Sequence, residues 1–238
     1  MAEAPRLTFL LDVDNTLIDN DAAKEQIARE LLDLLGEEET ARFWRLYEEV
    51  RQDEGMVNVP LTLARFERPE GRAGLEHATA AGRARCFAMA DLLMAFPYDR
   101  YLFPGALDAI AHLRTFGRVA VLSDGDPTFQ PSKIWRAGLD AAVDGYVLVF
   151  GHKELHLDEV IAAFPADHYV LVEDKPDILT RVRARLADDA RVALTTVLVR
   201  QGKYAAAVPA GAWPGADLIL DAIGDLRDLD ARAFIRQT

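Results

Sequence analysis

The sequence predicts an α/β protein, a doubly wound parallel sheet carrying one long helical insertion. Three observations carry this. The first is a set of short apolar runs without polar alternation, such as Leu7-Thr8-Phe9-Leu10-Leu11, which suit strands buried on both faces. The second is that such runs alternate with helical patterns through the C-terminal half, which implies right-handed crossovers and a parallel sheet. The third is the wide interval between the first strand and the next, from Ile18 to Arg118.

In order, Leu7–Val13 reads as the first strand and Arg118–Leu122 as the second. There follow a helix near Pro131–Ala137, a strand at Tyr146–Phe150, a helix at Leu157–Phe164 and a strand at Tyr169–Val172. A helix near Pro176–Leu186, a strand at Val192–Val199 and a short strand at Leu218–Leu220 complete the pattern. The helix Leu107–Phe116 suffices for the first crossover. Residues 20–100 are therefore extra, a helical domain inserted into a core of residues 1–19 and 101–238. In the insert, Asp21–Leu35, Glu38–Val50 and Gly74–Ala95 read as helices, and Gly55–Gly71, with Pro60 and Pro69, as a loop or short turns. An insert after the first strand adjoins the carboxyl ends of the strands, where open α/β sheets bind ligands, and so suits a lid.

Composition narrows the function. Half of the 238 residues are apolar, ample for a core, and no apolar run is long enough to span a membrane. A formal charge of −12 argues against nucleic acid or an anionic membrane as partner. The N-terminus Met1–Arg6 lacks the pattern of a secretory signal, and Cys86, the only cysteine, reads as a small buried hydrophobe; both suit the cytoplasm. The negative charge would repel a phosphorylated substrate, so a phosphate site needs local positive charge.

Candidate chemistry collects at strand ends. Asp12 and Asp14, in Asp12-Val13-Asp14-Asn15-Thr16, point the same way if the strand geometry persists. Two adjacent carboxylates at an apolar strand mouth call for compensation, for which a divalent cation serves; the plainer reading is a turn in which Thr16 or Asp19 caps the next helix. The second strand ends in Ser123-Asp124-Gly125-Asp126, whose hydroxyl and amides suit phosphate oxygens but also an ordinary turn. Lys153 follows the third strand and supplies positive charge there; Lys133 is a rival placed inside a helix. The fourth strand runs into Glu173-Asp174-Lys175-Pro176-Asp177.

Four successive strands thus end in a carboxylate pair, a serine, a lysine and an acidic pair. This order resembles the haloacid dehalogenase-like superfamily of phosphohydrolases over nearly the whole chain. The Asp-x-Asp-x-Thr motif is met by residues 12–16, the serine motif by Ser123, the lysine motif by Lys153 and the acidic motif by Glu173-Asp174, with Asp177 as a further acid. Phe103-Pro104-Gly105-Ala106 is similar to the family's approach to the crossover helix. The resemblance implies a Rossmann-like core with an α-helical cap, and a magnesium-dependent phosphatase acting on a small phosphorylated metabolite. It implies Asp12 as nucleophile, Asp14 as general acid and base, and Ser123 and Lys153 as catalytic groups that, with Thr16 and Asp124, bind substrate. Magnesium would be held by Asp12, the Asp14 carbonyl and Asp174, with Glu173 and Asp177 behind them. Asp177 follows Asp174 by three residues where the family often has four.

Other readings are a phosphomutase on the same core, a dehalogenase, for which Asp14 is superfluous, and a non-catalytic magnesium-binding regulatory module. A metalloprotease site at His152-Lys153-Glu154-Leu155-His156 has lysine where the general base belongs. In the insert, Arg65, Arg68 and Arg72 suit solvated positions, and Trp44 and Phe66 suit core; in the helix near Pro176–Leu186, Arg181, Arg183 and Arg185 suit an exposed face. Oligomeric state is not legible.

Overall fold

A computed structural model describes residues 6–67, 80–186, 192–204, 208 and 213–235. Six parallel strands form one sheet in the order β3-β2-β1-β4-β5-β6, where β1 is Leu7–Leu11, β2 Gly117–Asp124, β3 Val147–Phe150, β4 His168–Glu173, β5 Ala193–Val199 and β6 Leu218–Leu220. All five residues of β1 are buried. Phe9 and Leu11 join the apolar cluster on one face and Leu10 that on the other, as expected of a central parallel strand. The chain winds outward from β1 through β2 and β3, then returns to β4 on the other side of β1. The point where strand order reverses is where such sheets open a crevice.

Among the described residues, four helices lie between β1 and the crossover helix that leads into β2: α1 Asn20–Leu35, α2 Glu37–Glu54, α3 Val59–Phe66 and α4 Ala80–Met94. Asp19 caps α1, accepting from the Ala22 N–H at 2.9 Å. Helix α3 occupies part of the segment read as a loop. Pro60 sits in its first turn, where no N–H is needed, and the Asn58 side chain caps the Leu61 N–H at 2.9 Å. Ile27, Leu31, Phe43, Val59, Met89 and Leu93 of these helices join the apolar cluster on one face of the sheet. Where the chain leaves for the helices and returns from them, its two segments pair: Asp19 N–H bonds Tyr101 O at 2.7 Å and Phe103 N–H bonds Leu17 O at 2.9 Å.

The remaining helices are α5 Ala106–Leu113, α6 Phe129–Arg136, α7 Leu139–Ala142, α8 Leu157–Ala163 and α9 Pro176–Leu186. Two expectations fail here. Cys86 is half-exposed and bonded to Glu67 rather than buried. Arg183 is also not on an exposed face: it pairs with buried Asp217, whereas Arg181 and Arg185 are exposed. A helix turns about 100° per residue, so positions two apart lie on opposite sides. Arg65 is paired to Asp53 at 2.7 Å; Arg68 and Arg72 fall outside the described residues. No described helix is long and apolar enough to cross a membrane.

Candidate active site

Asp12 stands one residue past β1, and its N–H still donates to Val172 O of β4 at 3.0 Å, so the ladder fixes its backbone. Its Oδ1 accepts from Lys153 Nζ at 2.5 Å and its Oδ2 from the Thr16 hydroxyl at 3.2 Å. Thr16 therefore supports the Asp12 carboxylate. The turn between them depends on Asn15, which takes a left-handed conformation (φ 61°) and accepts the Asn20 and Asp21 N–H groups on its side chain. Asparagine tolerates that geometry better than most residues.

Lys153 is fully buried. Its ammonium also meets Glu173 Oε2 at 2.6 Å, and its N–H donates to Asp124 Oδ1 at 2.8 Å, so Asp124 positions the lysine. Burial alone would lower the Lys153 pKa; Asp12, Glu173 and Asp124 outweigh it and hold the ammonium above the ordinary lysine value. Burial likewise opposes ionisation of Asp12, but Lys153 and Lys175 keep its pKa below the usual carboxylate range.

Asp12, Glu173 and Asp174 each offer an oxygen within 4.8 Å of the others, and this is the one such acidic or histidine group among the described residues. Both Asp174 oxygens are buried without a hydrogen bond. Burial first, then Glu173 and Asp12, push its pKa up to about 10. Burial and Asp12 also raise Glu173. An orphaned carboxylate in an all-oxygen cluster fits a hard divalent cation. The Asp14 carbonyl accepts no backbone hydrogen bond among the described residues. Asp177 lies exposed on α9, outside the cluster.

Asp14 turns toward a cavity of about 750 Å³ whose lining includes residues of α1, α2 and the strand ends. Its Oδ1 accepts from Lys133 Nζ at 2.5 Å, and the same ammonium meets Asn20 Oδ1 at 2.6 Å. Both lysines weighed in the sequence thus serve, one for each aspartate. Ser123 is buried and its hydroxyl accepts from Gln130 Nε2 at 2.9 Å. The Gly125 amide is not free for phosphate, because it donates to Phe150 O at 2.9 Å. Trp44 lines the cavity; Phe66 packs on Phe43, ring centroids 6.0 Å apart. His156 stacks on Phe150 at 4.5 Å and bonds Glu159, so the two histidines form no metal site.

Sequence reasoning passed over Lys175 and Gln130 and ranked Lys133 below Lys153. The signal for the α6 pair was present: Phe129, Gln130, Lys133 and Ile134 fall at helical spacing on one buried face, an unusual place for polar side chains.

The model of the haloacid dehalogenase-like hydrolase family matches residues 7–195. A haloacid dehalogenase-like hydrolase from Burkholderia xenovorans LB400 is 39% identical, with a TM-score of 0.78, over 94% of this chain and 99% of that one. The magnesium-bound hydrolase YfnB from Bacillus subtilis is 16% identical, with a TM-score of 0.59, over 94% of this chain and 98% of that one. L-2-haloacid dehalogenase from Xanthobacter autotrophicus is 20% identical, with a TM-score of 0.53, over 93% of this chain and 96% of that one. The last two likenesses show the fold alone. No curated protein matches. With a family model spanning most of its length and a relative of that identity, this chain belongs to the haloacid dehalogenase-like hydrolases.

Proposed function

We propose that the protein is a magnesium-dependent phosphatase of small phosphate monoesters, acting through a phosphoryl group carried on Asp12. The observation that carries this is the pairing of a lysine-bound Asp12 with a second acid, Asp14, facing the cavity two residues on. Displacing an alkoxide needs a proton for the leaving oxygen; displacing a halide does not. Asp14 thus favours phosphatase over dehalogenase.

Asp12, Asp174 and the Asp14 carbonyl would hold the cation, with Glu173 beside them. When bound, it offsets the repulsion between the Asp12 carboxylate and the phosphoryl oxygens. The Asp12 carboxylate attacks phosphorus, and the bond to the ester oxygen breaks while Asp14 donates its proton to that oxygen. Asp14, now ionised, takes a proton from the water that cleaves the acyl phosphate. That step releases inorganic phosphate and restores both acids. Lys153 offsets negative charge on Asp12 throughout, and the Ser123 hydroxyl, oriented by Gln130, donates to a phosphoryl oxygen. Residues 20–100 serve as the cap that closes the cavity against water, with the paired segments at residues 17–19 and 101–103 as the natural place to bend.

The test is hydrolysis of p-nitrophenyl phosphate with magnesium, with 2-chloropropionate as a halide-releasing control. Phosphate release that falls about 10³-fold or more in Asp12→Asn and about 10²–10⁴-fold in Asp14→Asn is expected. Chloride release without phosphate release overturns the reading, as does stoichiometric phosphorylation without turnover.

A further inference from the structure

The far wall of the cavity carries positive charge that the phosphoryl chemistry does not use. Lys24, on α1, holds its ammonium 4.6 Å from the Tyr47 ring centroid and 5.2 Å from that of Trp44. Lys203, in the turn after β5, is tied to the same helix through its N–H, which donates to Asp21 Oδ2 at 3.0 Å. Both line the cavity.

Most acids around them are already engaged. Glu48, whose negative charge acts most strongly on Lys24, is bound to Arg51 at 2.8 Å. Asp14 is held by Lys133 and Glu154 by Arg181. Asp126 accepts the Thr128 and Phe129 amides, and Asp124 that of Lys153. Among the described residues, neither the Lys24 nor the Lys203 ammonium has a carboxylate within 4.0 Å; Asp21 meets Lys203 only through the backbone N–H. Lys24 is half-buried, and its pKa is depressed first by that burial and then, against the pull of Glu48 and Asp21, by Lys203 and Arg51. An anion placed between the lysines relieves the last two effects.

The placement suits the other end of a bound ester. Asn20, whose side chain shares the Lys133 ammonium with Asp14, lies one helical turn from Lys24 on the same face of α1. That turn is about 6 Å, the reach of a leaving group two or three carbons long. The two rings provide its apolar floor.

We propose that Lys24, above Trp44 and Tyr47, and Lys203, above Tyr204, form a second anion subsite. It binds a carboxylate or phosphate at the far end of the leaving group. The assignment rests on the phosphatase reading of the Asp12 centre, so its test uses ligands that cannot be hydrolysed. Titration calorimetry of the magnesium-loaded protein with propylphosphonate, 3-phosphonopropanoate and propane-1,3-bisphosphonate separates a neutral, a carboxylate and a phosphonate tail. Either charged tail is expected to bind at least about tenfold more tightly than the neutral one. Lys24→Met should erase that preference, Lys203→Met should reduce it, and Lys24→Arg should retain it. Equal binding of all three ligands, or a preference that survives Lys24→Met, overturns the subsite. Hydrolysis of propyl phosphate is measured alongside. If it fails while the Lys24-dependent preference stands, the phosphatase reading falls and the subsite does not.

Discussion

Replacing Asp174 with asparagine should make the metal-free protein more stable, although it removes a proposed metal ligand. Asp174 is buried beside Glu173 and Asp12, with its pKa pushed up to about 10 from 3.8. A carboxyl whose folded pKa lies above its unfolded value keeps its proton in the folded state while the unfolded chain ionises. Its contribution to stability is therefore lost progressively as pH rises above about 4, by about 1.4 kcal/mol per unit. From 3.8 to 7 this amounts to about 4 kcal/mol, an upper figure because Glu173 shares the proton and relaxation recovers part of it. The amide of the Asp174→Asn variant does not titrate and has no such dependence. Urea unfolding in EDTA should show that variant more stable by about 2–4 kcal/mol at pH 7, and the advantage should vanish near pH 4. Magnesium should then stabilise the wild type much more than the variant, because bound cation displaces the proton. A variant less stable than wild type at pH 7 without metal, or a difference that does not change between pH 4 and 8, refutes the reasoning.

Two further outcomes follow from the contacts around Asp12 and Asp14. Lys133→Met removes the ammonium that holds Asp14 and Asn20; kcat for p-nitrophenyl phosphate should fall about 10–100-fold with KM little changed. Loss confined to KM would show that Lys133 binds rather than positions. Gly202 has φ 62°, and an added Cβ would lie 2.6 Å from the Asn15 side chain, so Gly202→Ala should push on the turn after Asp12. A fall of about 2 kcal/mol, or about 4–8 °C in Tm, is expected by thermal scanning; an unchanged Tm would mean that the two loops separate freely.

What the sequence made legible and what it hid have physical causes. Parallel strands place all their carboxyl ends on one edge, so Asp12, Ser123, Lys153 and Glu173-Asp174 could be brought together from order alone. Spacing within one strand carried less. Asp12 is buried against Lys153 whereas Asp14 faces the cavity and Lys133, because the chain turns at Asn15 instead of continuing extended. Lys133 was underrated because its reach depends on how α6 packs back on the sheet, a tertiary fact. The segment holding α3 reads as a loop or short turns from Gly55–Gly71 with its two prolines, but Pro60 stands in the first turn of a capped helix, where it interrupts nothing. Arg183 was misjudged by grouping three arginines that helical geometry sets on different sides.

The distribution of charge resolves the objection raised by the net −12. Charges in water more than about 8–10 Å apart are largely screened at ordinary ionic strength, so the acidic exterior contributes little inside the cavity. Buried charges are screened much less. Lys153 and Lys133 are almost wholly buried, and Lys175 sits close enough to Asp12 and Glu173 for both to raise its pKa against the effect of burial. A phosphoryl group near Asp12 therefore meets fixed ammonium groups at short range and the opposing surface charge only through salt water. Adding salt should change kcat/KM for an anionic ester little if these buried lysines dominate. A steep rise with ionic strength would show that the acidic surface still governs approach, and the local compensation would then be insufficient.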